Sequence, residues 1–282
     1  MKKVLSVACA LCMTTAMLTG CGSSNNAGTA ATGEAQNSAA ASTTTEQAST
    51  ATDAGTTLIA LITMDSLDQH WVTLNEGAQK AAAELGVTVQ FMAPNTKDDA
   101  QQIECVNNAV SAGAQAIIVA ANGPDAISSA LREASDAGVK LIYVDSPANV
   151  SAEATFSTDN NAAGKTAGEE MKKALADAGV TSGSIGIINV NAATDSCVMR
   201  EEGFRSAFEG TDFELLETQY GEGDAAKSQS IAENYITQGV VGIFGCNEGS
   251  TTGAGNAIKA SGKDNVIGVG FDLSLIHISE PT

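Results

Sequence analysis

Apolar runs rich in β-branched residues alternate with alanine-rich stretches from Thr57 to Asp272. Several runs are apolar at consecutive positions, which predicts strands covered on both faces. The intervening stretches place apolar residues at helical spacing, as at Val72, Ala78 and Ala82, and so predict amphipathic helices. The predicted strands are Leu58–Thr63, Val87–Met92, Ala116–Ala121, Leu141–Asp145, Ile185–Val190, Phe213–Gln219, Val240–Cys246 and Val266–Asp272.

Glycines mark the predicted helix ends, where a left-handed residue often closes a helix before the next strand. The interval from Gly138 to Gly179 contains an additional run, Thr155–Asp159, which predicts a strand that ends one lobe and crosses to the next. We therefore predict the α/β class, with two Rossmann-like lobes of parallel sheets joined by a hinge, at residues 57–158 and 159–272. The seven helix-ending glycines are Gly86, Gly113, Gly138, Gly179, Gly210, Gly239 and Gly262.

The first 56 residues have a different character. Lys2 and Lys3 precede an apolar run that stops at Leu18-Thr19-Gly20-Cys21, which resembles the lipobox of bacterial lipoproteins. We expect residues 1–20 to be a cleaved signal peptide and Cys21 to carry the lipid; an ordinary secretory signal is the alternative. Residues 22–56 contain no Val, Ile, Leu, Met or aromatic residue, which predicts a disordered tether. The expected location is outside the cytoplasm, lipid-anchored to the cell membrane.

Composition excludes several functions. The chain has 14 basic and 33 acidic residues, and this acidity argues against a nucleic-acid partner, which requires clustered Lys and Arg. With only two histidines, the chain has few imidazole ligands for a metal site, and we expect neither a metal nor an organic cofactor. Outside the signal peptide and Cys21, the cysteines are odd in number and lack ligand-like spacing, which predicts buried free thiols. These are Cys105, Cys197 and Cys246.

Short polar side chains follow most predicted strands. Ligands of parallel α/β sheets bind beyond the carboxyl ends of the strands, and planar carboxylates and amides there can bridge neighbouring hydroxyl groups. Turn and helix-cap roles are the alternative for each residue singly. The residues are Asp65, Asp68, Asn122, Asp145, Asn189, Asn191, Asn247 and Asp272.

Three further side chains are candidates for ligand contact. Trp71, the only tryptophan, stands beside His70 after the first strand, where its ring could stack on the C–H face of a sugar. Packing of the first helix is the alternative. Arg200 follows a strand end by several residues and could donate a fork of hydrogen bonds, with a surface position as the alternative.

Enzyme-like motifs are incomplete. Gly164-Lys165-Thr166 resembles the end of a P-loop, but its upstream glycine position is Asp159. The segment 221–226 fits a dinucleotide-binding pattern, yet Glu222 and Asp224 would repel a pyrophosphate. We expect no enzyme; the rival is a carbohydrate-acting enzyme using a carboxylate pair such as Asp68 and Asp272.

Residues 57–272 resemble the ribose-binding family of type I periplasmic sugar-binding proteins, the substrate-capturing components of ABC importers. The segments that carry the resemblance are Leu58–Ile62, Trp71, Asn75–Lys80, Ala116–Ala126, Tyr143–Asp145, Ser157–Asn160 with Gly164, Arg200–Phe204, Gly245–Glu248 and Val269–Asp272. The resemblance implies two lobes that close over one monosaccharide, a monomer, and a membrane permease as partner. A receptor that reports a sugar-like signal to a sensor kinase or chemoreceptor is the alternative.

The resemblance also implies roles for individual residues. Trp71 would be the stacking aromatic, with His70 beside it, and Thr158 would lie at the first hinge. Asn122 would substitute for a strand-end asparagine of the family. Residues implied to hydrogen-bond the sugar are Asp68, Asp145, Arg200, Asn247 and Asp272.

This sequence departs from the family's pattern, so the resemblance does not fix the identity of the sugar. Asp145-Ser146 stands where the family has an Asp-Arg pair, so one guanidinium is lost. A pentose, hexose, related polyol or furanosyl signal molecule therefore remains possible. Residues 273–282 resemble translated adapter sequence; we expect a non-native tail and an incomplete second lobe.

Overall fold

The computed structural model describes residues 56–263 and 265–272, and in them strands and helices alternate as predicted. The first part contains β1 (Leu58–Ile62), α1 (Gln69–Leu85), β2 (Thr88–Met92), α2 (Asp99–Ser111), β3 (Ala116–Val119), α3 (Pro124–Asp136), β4 (Lys140–Val144) and β5 (Ala154–Phe156). The second contains α4 (Asn160–Asp177), β6 (Gly183–Asn189), α5 (Asp195–Ala207), β7 (Phe213–Leu215), β8 (Gln219–Tyr220), α6 (Ala225–Gln238), β9 (Gly242–Gly245), α7 (Glu248–Ser261) and β10 (Ile267–Gly270).

The strands form two separate parallel sheets. The first has the order β2-β1-β3-β4-β5 and the second β10-β9-β6-β7, with β8 also paired to β6. Leu61 lies opposite Phe91 on one side and Ile118 on the other, so β1 is an interior strand of its sheet. The predicted class, two parallel-sheet α/β lobes, is confirmed.

The predicted strand Phe213–Gln219 is divided into β7 and β8. The Arg205 guanidinium donates to the carbonyl of Leu216 at 3.1 Å and to the Thr218 hydroxyl at 2.8 Å. These bonds occupy backbone and side-chain groups between the two short strands, which explains why the apolar run does not continue as one strand.

Consecutive positions are buried in three strands, as expected of strands covered on both faces: residues 60–62 of β1, 185–189 of β6 and 242–245 of β9. Burial alternates along β3 and β4. In the first lobe, Ile117 and Leu131 are fully buried, and in the second the rings of Phe204 and Phe244 stack with centroids 4.0 Å apart. Each such side chain contributes about 1.5–3 kcal/mol through burial. The two cores hold the strand ends in fixed positions.

Helices end where the sequence predicts. All seven glycines named for this role have positive φ, from 61° at Gly262 to 92° at Gly138. Two other glycines allow α4 and α5 to touch: a Cβ on Gly164 would lie 2.0 Å from the Arg200 carbonyl oxygen, and one on Gly203 would lie 2.0 Å from that of Asn161. This close approach fixes the position of Arg200.

The chain passes from the first sheet to the second lobe through Ser157–Asp159, between β5 and α4. Thr158 lies in this segment, and Asp159 caps α4 by accepting a hydrogen bond from the Ala162 N–H at 3.0 Å. The bounds given to the lobes stay a prediction. The predictions for the signal peptide, for Cys21, for the tether up to residue 55 and for the tail lie outside the described residues.

Candidate functional site

Polar residues beyond the strand ends of the two lobes meet in one interlobe cleft. The Thr194 hydroxyl donates to the Asn122 carbonyl at 2.8 Å, and the Ser146 hydroxyl donates to Ser196 Oγ at 2.8 Å. Ser146 and Ser196 are both buried. The lobes therefore contact each other through direct hydrogen bonds at the site that the strand ends predict.

Arg200 lies at the centre of the cleft. Its Nη1 donates to Asp272 Oδ2 and to the Cys246 carbonyl, both at 3.0 Å, and its Nε donates to Asn160 Oδ1 at 2.8 Å. Its Nη2 lies 3.7 Å from Asp145 Oδ1, which belongs to the other lobe. The side chain is only 6% exposed, so the alternative of a surface position is wrong.

The two carboxylates beside Arg200 sit on an unusual backbone. Asp145 has φ 57° and Asp272 has φ 64°, in the left-handed region. Such conformations cost non-glycine residues about 1–3 kcal/mol and tend to mark functional sites. Burial raises the pKa of Asp272, although the Arg200 charge opposes this effect. Asp145 also accepts a hydrogen bond from the Ser196 hydroxyl at 3.0 Å.

A buried lysine pairs with the acids after β1. Lys97 Nζ contacts Asp65 Oδ2 and lies 3.4 Å from Asp68 Oδ2, and its side chain is 7% exposed. Burial alone would raise the pKa of Asp65, but the Lys97 charge and the backbone N–H groups of Leu67 and Asp68 outweigh it and lower the pKa. Asp68 additionally caps α1 by accepting from the His70 N–H at 3.1 Å.

The aromatic pair lies where α1 begins. Trp71 is 3% exposed and packs in a cluster with Met64 and Ala120, while the His70 ring meets it edge-on with centroids 4.6 Å apart. His70 Nε2 lies 3.9 Å from Asp145 Oδ1. Packing, the alternative considered for Trp71, therefore accounts for its burial, and sugar stacking stays a prediction.

Four buried polar side-chain atoms lack hydrogen-bond partners among the described residues: the indole Nε1 of Trp71, the amide Nδ2 of Asn247, and the hydroxyl oxygens of Ser228 and Ser250. Asn247 Oδ1 caps α7 by accepting from the Ser250 N–H at 3.2 Å. Because buried donors are normally satisfied, an unpaired amide at a strand end indicates a place for an external acceptor.

Two of the predicted ligand-site residues, Asn122 and Thr158, are engaged in other contacts. Asn122 is buried but donates to Asp99 Oδ1 at 2.6 Å, and the Asn191 amide reaches its Oδ1 only at 3.5 Å. Thr158 is exposed in the crossover, where its carbonyl accepts from the Asn160 amide at 3.1 Å. Their roles in binding and hinging stay predictions.

Several site residues were missed by the sequence analysis as ligand-site candidates. Lys97 and Ser196 have no motif that marks them, although Lys97 follows a strand end as the named acids do. Asn160 was named only as the last residue of the resembling segment Ser157–Asn160, with no role of its own. Burial and the neighbouring Asp68 and Asp272 carboxylates raise the pKa of Glu248, the residue directly after Asn247, to about 7.

The outer edge of the cleft holds a cavity of about 310 Å³ between Asp65, Lys97, Glu222, Gly223 and Glu248. Within residues 56–263 and 265–272, no group of three or more His, Cys, Asp or Glu side chains is arranged to hold a metal ion. In that same part of the chain, no helix combines the length and apolarity needed to cross a membrane.

Comparison with known proteins gives a consistent result. Residues 59–278 match the profile of the periplasmic binding protein domain. The ribose import binding protein RbsB of Haemophilus influenzae is 30% identical over 227 residues, covering 79% of this chain and 75% of that protein. A D-apiose import binding protein of Actinobacillus succinogenes is 28% identical over 232 residues, covering 80% and 73%.

Two solved structures of solute-binding proteins are similar to this chain. A solute-binding protein of an ABC transporter from Agrobacterium vitis, bound to α-D-tagatopyranose, matches with a TM-score of 0.73 and 25% identity, covering 78% of this chain and 77% of that one. A second from the same organism, with bound D-fucose, matches with a TM-score of 0.72 and 28% identity, covering 76% of each. This chain therefore belongs to the periplasmic binding protein family, among its ribose-binding-like, type I sugar-binding members.

Proposed function

We propose that this protein is the substrate-binding component of an ABC importer and that it captures a monosaccharide, a pentose, hexose or related polyol, in the cleft between its lobes. The relatives described above are import proteins for ribose and apiose, or are solved with tagatose or fucose bound. The observation that carries the proposal is the buried Arg200 held between Asp145 of one lobe and Asp272 of the other.

That arrangement suits an uncharged polyhydroxy ligand. Each carboxylate can accept from two neighbouring hydroxyl groups, and the guanidinium can donate to a ring or hydroxyl oxygen. The unpaired amide of Asn247 supplies a further donor. Because Asp145 and Asp272 come from different lobes, a ligand that bonds both would favour the closed form. Contacts from Asp68, His70, Trp71 and Asn122 complete the proposed site, with Thr158 at the hinge.

Binding without turnover is the expected chemistry. Of the two acids that a carbohydrate-acting enzyme would need, Asp68 lies beside Lys97 and Asp272 is bonded to Arg200. Each carboxylate is thus paired with a cation. A glycosidase would instead need one of them to act as the nucleophile and the other as the general acid. Labelled glycosides incubated with the protein should remain intact. Release of the label would instead support the alternative, a carbohydrate-acting enzyme.

A thermal-shift screen tests the ligand class. The panel contains D-ribose, D-apiose, D-allose, D-fucose, D-tagatose, xylitol and, as non-sugars, amino acids. A ligand present at 100 times its Kd stabilises the folded protein by about 2.7 kcal/mol, which raises the midpoint clearly. At least one sugar should do so; stabilisation by amino acids alone would contradict the proposal.

Site variants locate the binding. We expect Asp272→Asn to weaken binding of the stabilising sugar about tenfold or more in calorimetric titration, because one charged hydrogen-bond acceptor is lost. Arg132→Met, at an exposed position of α3, is the control and should bind as the unmodified protein does. Equal affinities for both variants would place the sugar elsewhere.

The membrane anchor and the monomeric state are part of the proposal and rest on the sequence. Lipid on Cys21 would hold the protein beside its permease. Cys21→Ser should release the protein into the soluble extracytoplasmic fraction, whereas continued membrane attachment would contradict anchoring at this residue. Light scattering should give the mass of one chain.

A further inference from the structure

The amide of Gln102 links the ends of two neighbouring strands in the first lobe. Gln102 lies on α2 and is fully buried. Its Nε2 donates to the carbonyl of Thr63, directly after β1, at 3.0 Å and to the carbonyl of Ala120, directly after β3, at 2.8 Å. Its Oε1 accepts a hydrogen bond from the Asn122 N–H at 3.0 Å. One side chain thus satisfies three backbone groups at the edge of the sheet where the cleft begins.

The bond to Thr63 replaces a sheet hydrogen bond that the chain cannot make. Along the β1–β2 pair the Thr57 carbonyl accepts from the Thr88 N–H at 2.9 Å. The same parallel register makes residue 94 the donor to the Thr63 carbonyl. Residue 94 is a proline, which has no N–H to donate. Gln102 supplies the donor in its place.

The other two bonds replace the next step of the β1–β3 ladder. The Ala120 N–H donates to the Ile62 carbonyl at 3.0 Å. In a parallel ladder the next groups to pair with β1 would be the Ala120 carbonyl and the Asn122 N–H, both with residue 64. The amide of Gln102 bonds both of these groups instead. The two strands can therefore end here without leaving buried backbone groups unpaired, which would cost stability.

The bond to Asn122 also bears on the contact between the lobes. The Asn122 carbonyl accepts the hydrogen bond from the Thr194 hydroxyl of the second lobe at 2.8 Å, and Thr194 is fully buried. The backbone of Asn122 is therefore held from two sides, at its N–H by Gln102 and at its carbonyl by Thr194. No sequence motif marks Gln102 for this position.

We propose that Gln102 is a positioning residue for the cleft: by completing the ends of β1 and β3 and fixing the Asn122 backbone, it presents the Asn122 carbonyl to Thr194 and so supports lobe closure. The inference rests on the proposed function in that closure over a sugar gives the contact its use. The contact itself can be measured without a sugar.

A double-mutant cycle in urea unfolding tests the positioning role. Gln102→Met keeps a side chain of similar length and removes the amide, and Thr194→Val keeps the shape and removes the hydroxyl. Thr194→Val should lower the urea midpoint of the unmodified protein, and should lower it by less than about half as much in the Gln102→Met background. Equal shifts in the two backgrounds would confine Gln102 to the core of its own lobe and overturn the proposal.

Val106→Ala is the matched control. Val106 is fully buried one turn further along α2 and has no polar side-chain atom. Its substitution should also lower the urea midpoint, through lost packing, but Thr194→Val should then produce its full shift. If the Thr194→Val shift shrank equally in this background, any weakening of the first lobe would explain the result, and the proposal would fail.

Gln102→Glu gives a second test that does not depend on the folding of Gln102→Met. A protonated carboxyl can accept from the Asn122 N–H and donate to one of the two carbonyls, whereas an ionised carboxylate has no donor and faces both carbonyl oxygens. Burial and these oxygens should raise the pKa of the introduced carboxyl in the folded state above its unfolded value of about 4.3. The stability that the proton contributes is full below about pH 4.3 and is lost as the pH rises through the raised pKa.

The urea midpoint of Gln102→Glu, relative to that of the unmodified protein at the same pH, should therefore fall between pH 5 and pH 8. The shift caused by Thr194→Val in this background should shrink over the same range. If neither quantity changed with pH, the amide of Gln102 would not be what positions Asn122, and the proposal would be overturned.

The panel sugar with the largest thermal shift links the contact to binding. In calorimetric titration Gln102→Met should bind this sugar about tenfold more weakly than the unmodified protein, and Val106→Ala should bind it within about twofold. Equal affinities of the two variants would refute the role in closure. If no sugar binds the unmodified protein, the proposed function fails, while the urea cycle still decides this inference.

Discussion

Removing the guanidinium of Arg200 should destabilise the protein strongly. Arg200→Met keeps the aliphatic bulk but deletes the donors to Asn160, to the Cys246 carbonyl and to Asp272. The Asp272 side chain is 22% exposed, and without Arg200 its charge is left uncompensated in a largely buried site. Breaking a buried ion pair by removing one partner costs about 3–5 kcal/mol, and we expect a loss of that size in the free energy of unfolding.

Urea unfolding at pH 7.5, followed by circular dichroism, measures the loss through the shift of the midpoint. Arg132→Met is the matched control: Arg132 is exposed on α3, and its substitution should change the free energy of unfolding by less than about 0.5 kcal/mol. The Arg200→Met loss should shrink at pH 5, because Asp272, whose pKa is already raised by burial, can then take up a proton.

A double-mutant cycle tests the assigned cause. Asp272→Asn removes the uncompensated charge, so the double variant should recover about 1–2 kcal/mol relative to the sum of the single losses. The reasoning would be refuted by an Arg200→Met loss below about 1 kcal/mol, or by losses that simply add.

Three further predictions concern packing and contact. Ser196→Ala removes the interlobe bond to Ser146 at 2.8 Å and should weaken sugar binding about five- to tenfold in calorimetric titration; unchanged affinity would contradict its role in closure. Burial raises the pKa of Cys197 to about 12, so mass spectrometry should find this thiol unalkylated by iodoacetamide at pH 8 until the protein unfolds, and rapid native labelling would count against its burial. Gly164→Ala should cost more than about 3 kcal/mol in urea unfolding, while Gly77→Ala, with open space around it, should be neutral or stabilising; equal effects would refute the close helix contact.

Much of the fold was predictable because it depends on local signals. Consecutive apolar positions specify strands covered on both faces, and the glycine positions require a left-handed backbone that other residues adopt at a cost. The same logic placed Asp145 and Asp272 at strand ends, and the structure brings both to Arg200.

The rest depends on contacts between distant residues, which no local pattern encodes. Lys97 and Asp65 are 32 positions apart, and Ser146 and Ser196 are 50 apart. Glu248 has the local features of an ordinary first-turn acid of a helix, which is favourable wherever it occurs. Glu248 lines the same cavity as Asp68 only because the two lobes pack face to face.

A crystal structure with the sugar that gives the largest thermal shift tests the central claim most directly. The account predicts the sugar between the lobes, with hydroxyl groups within hydrogen-bonding distance of Asp145, Asp272 and Asn247 and with Arg200 donating to one of its oxygens. A sugar bound outside the cleft, or one that touches neither Arg200 nor the two carboxylates, would contradict it.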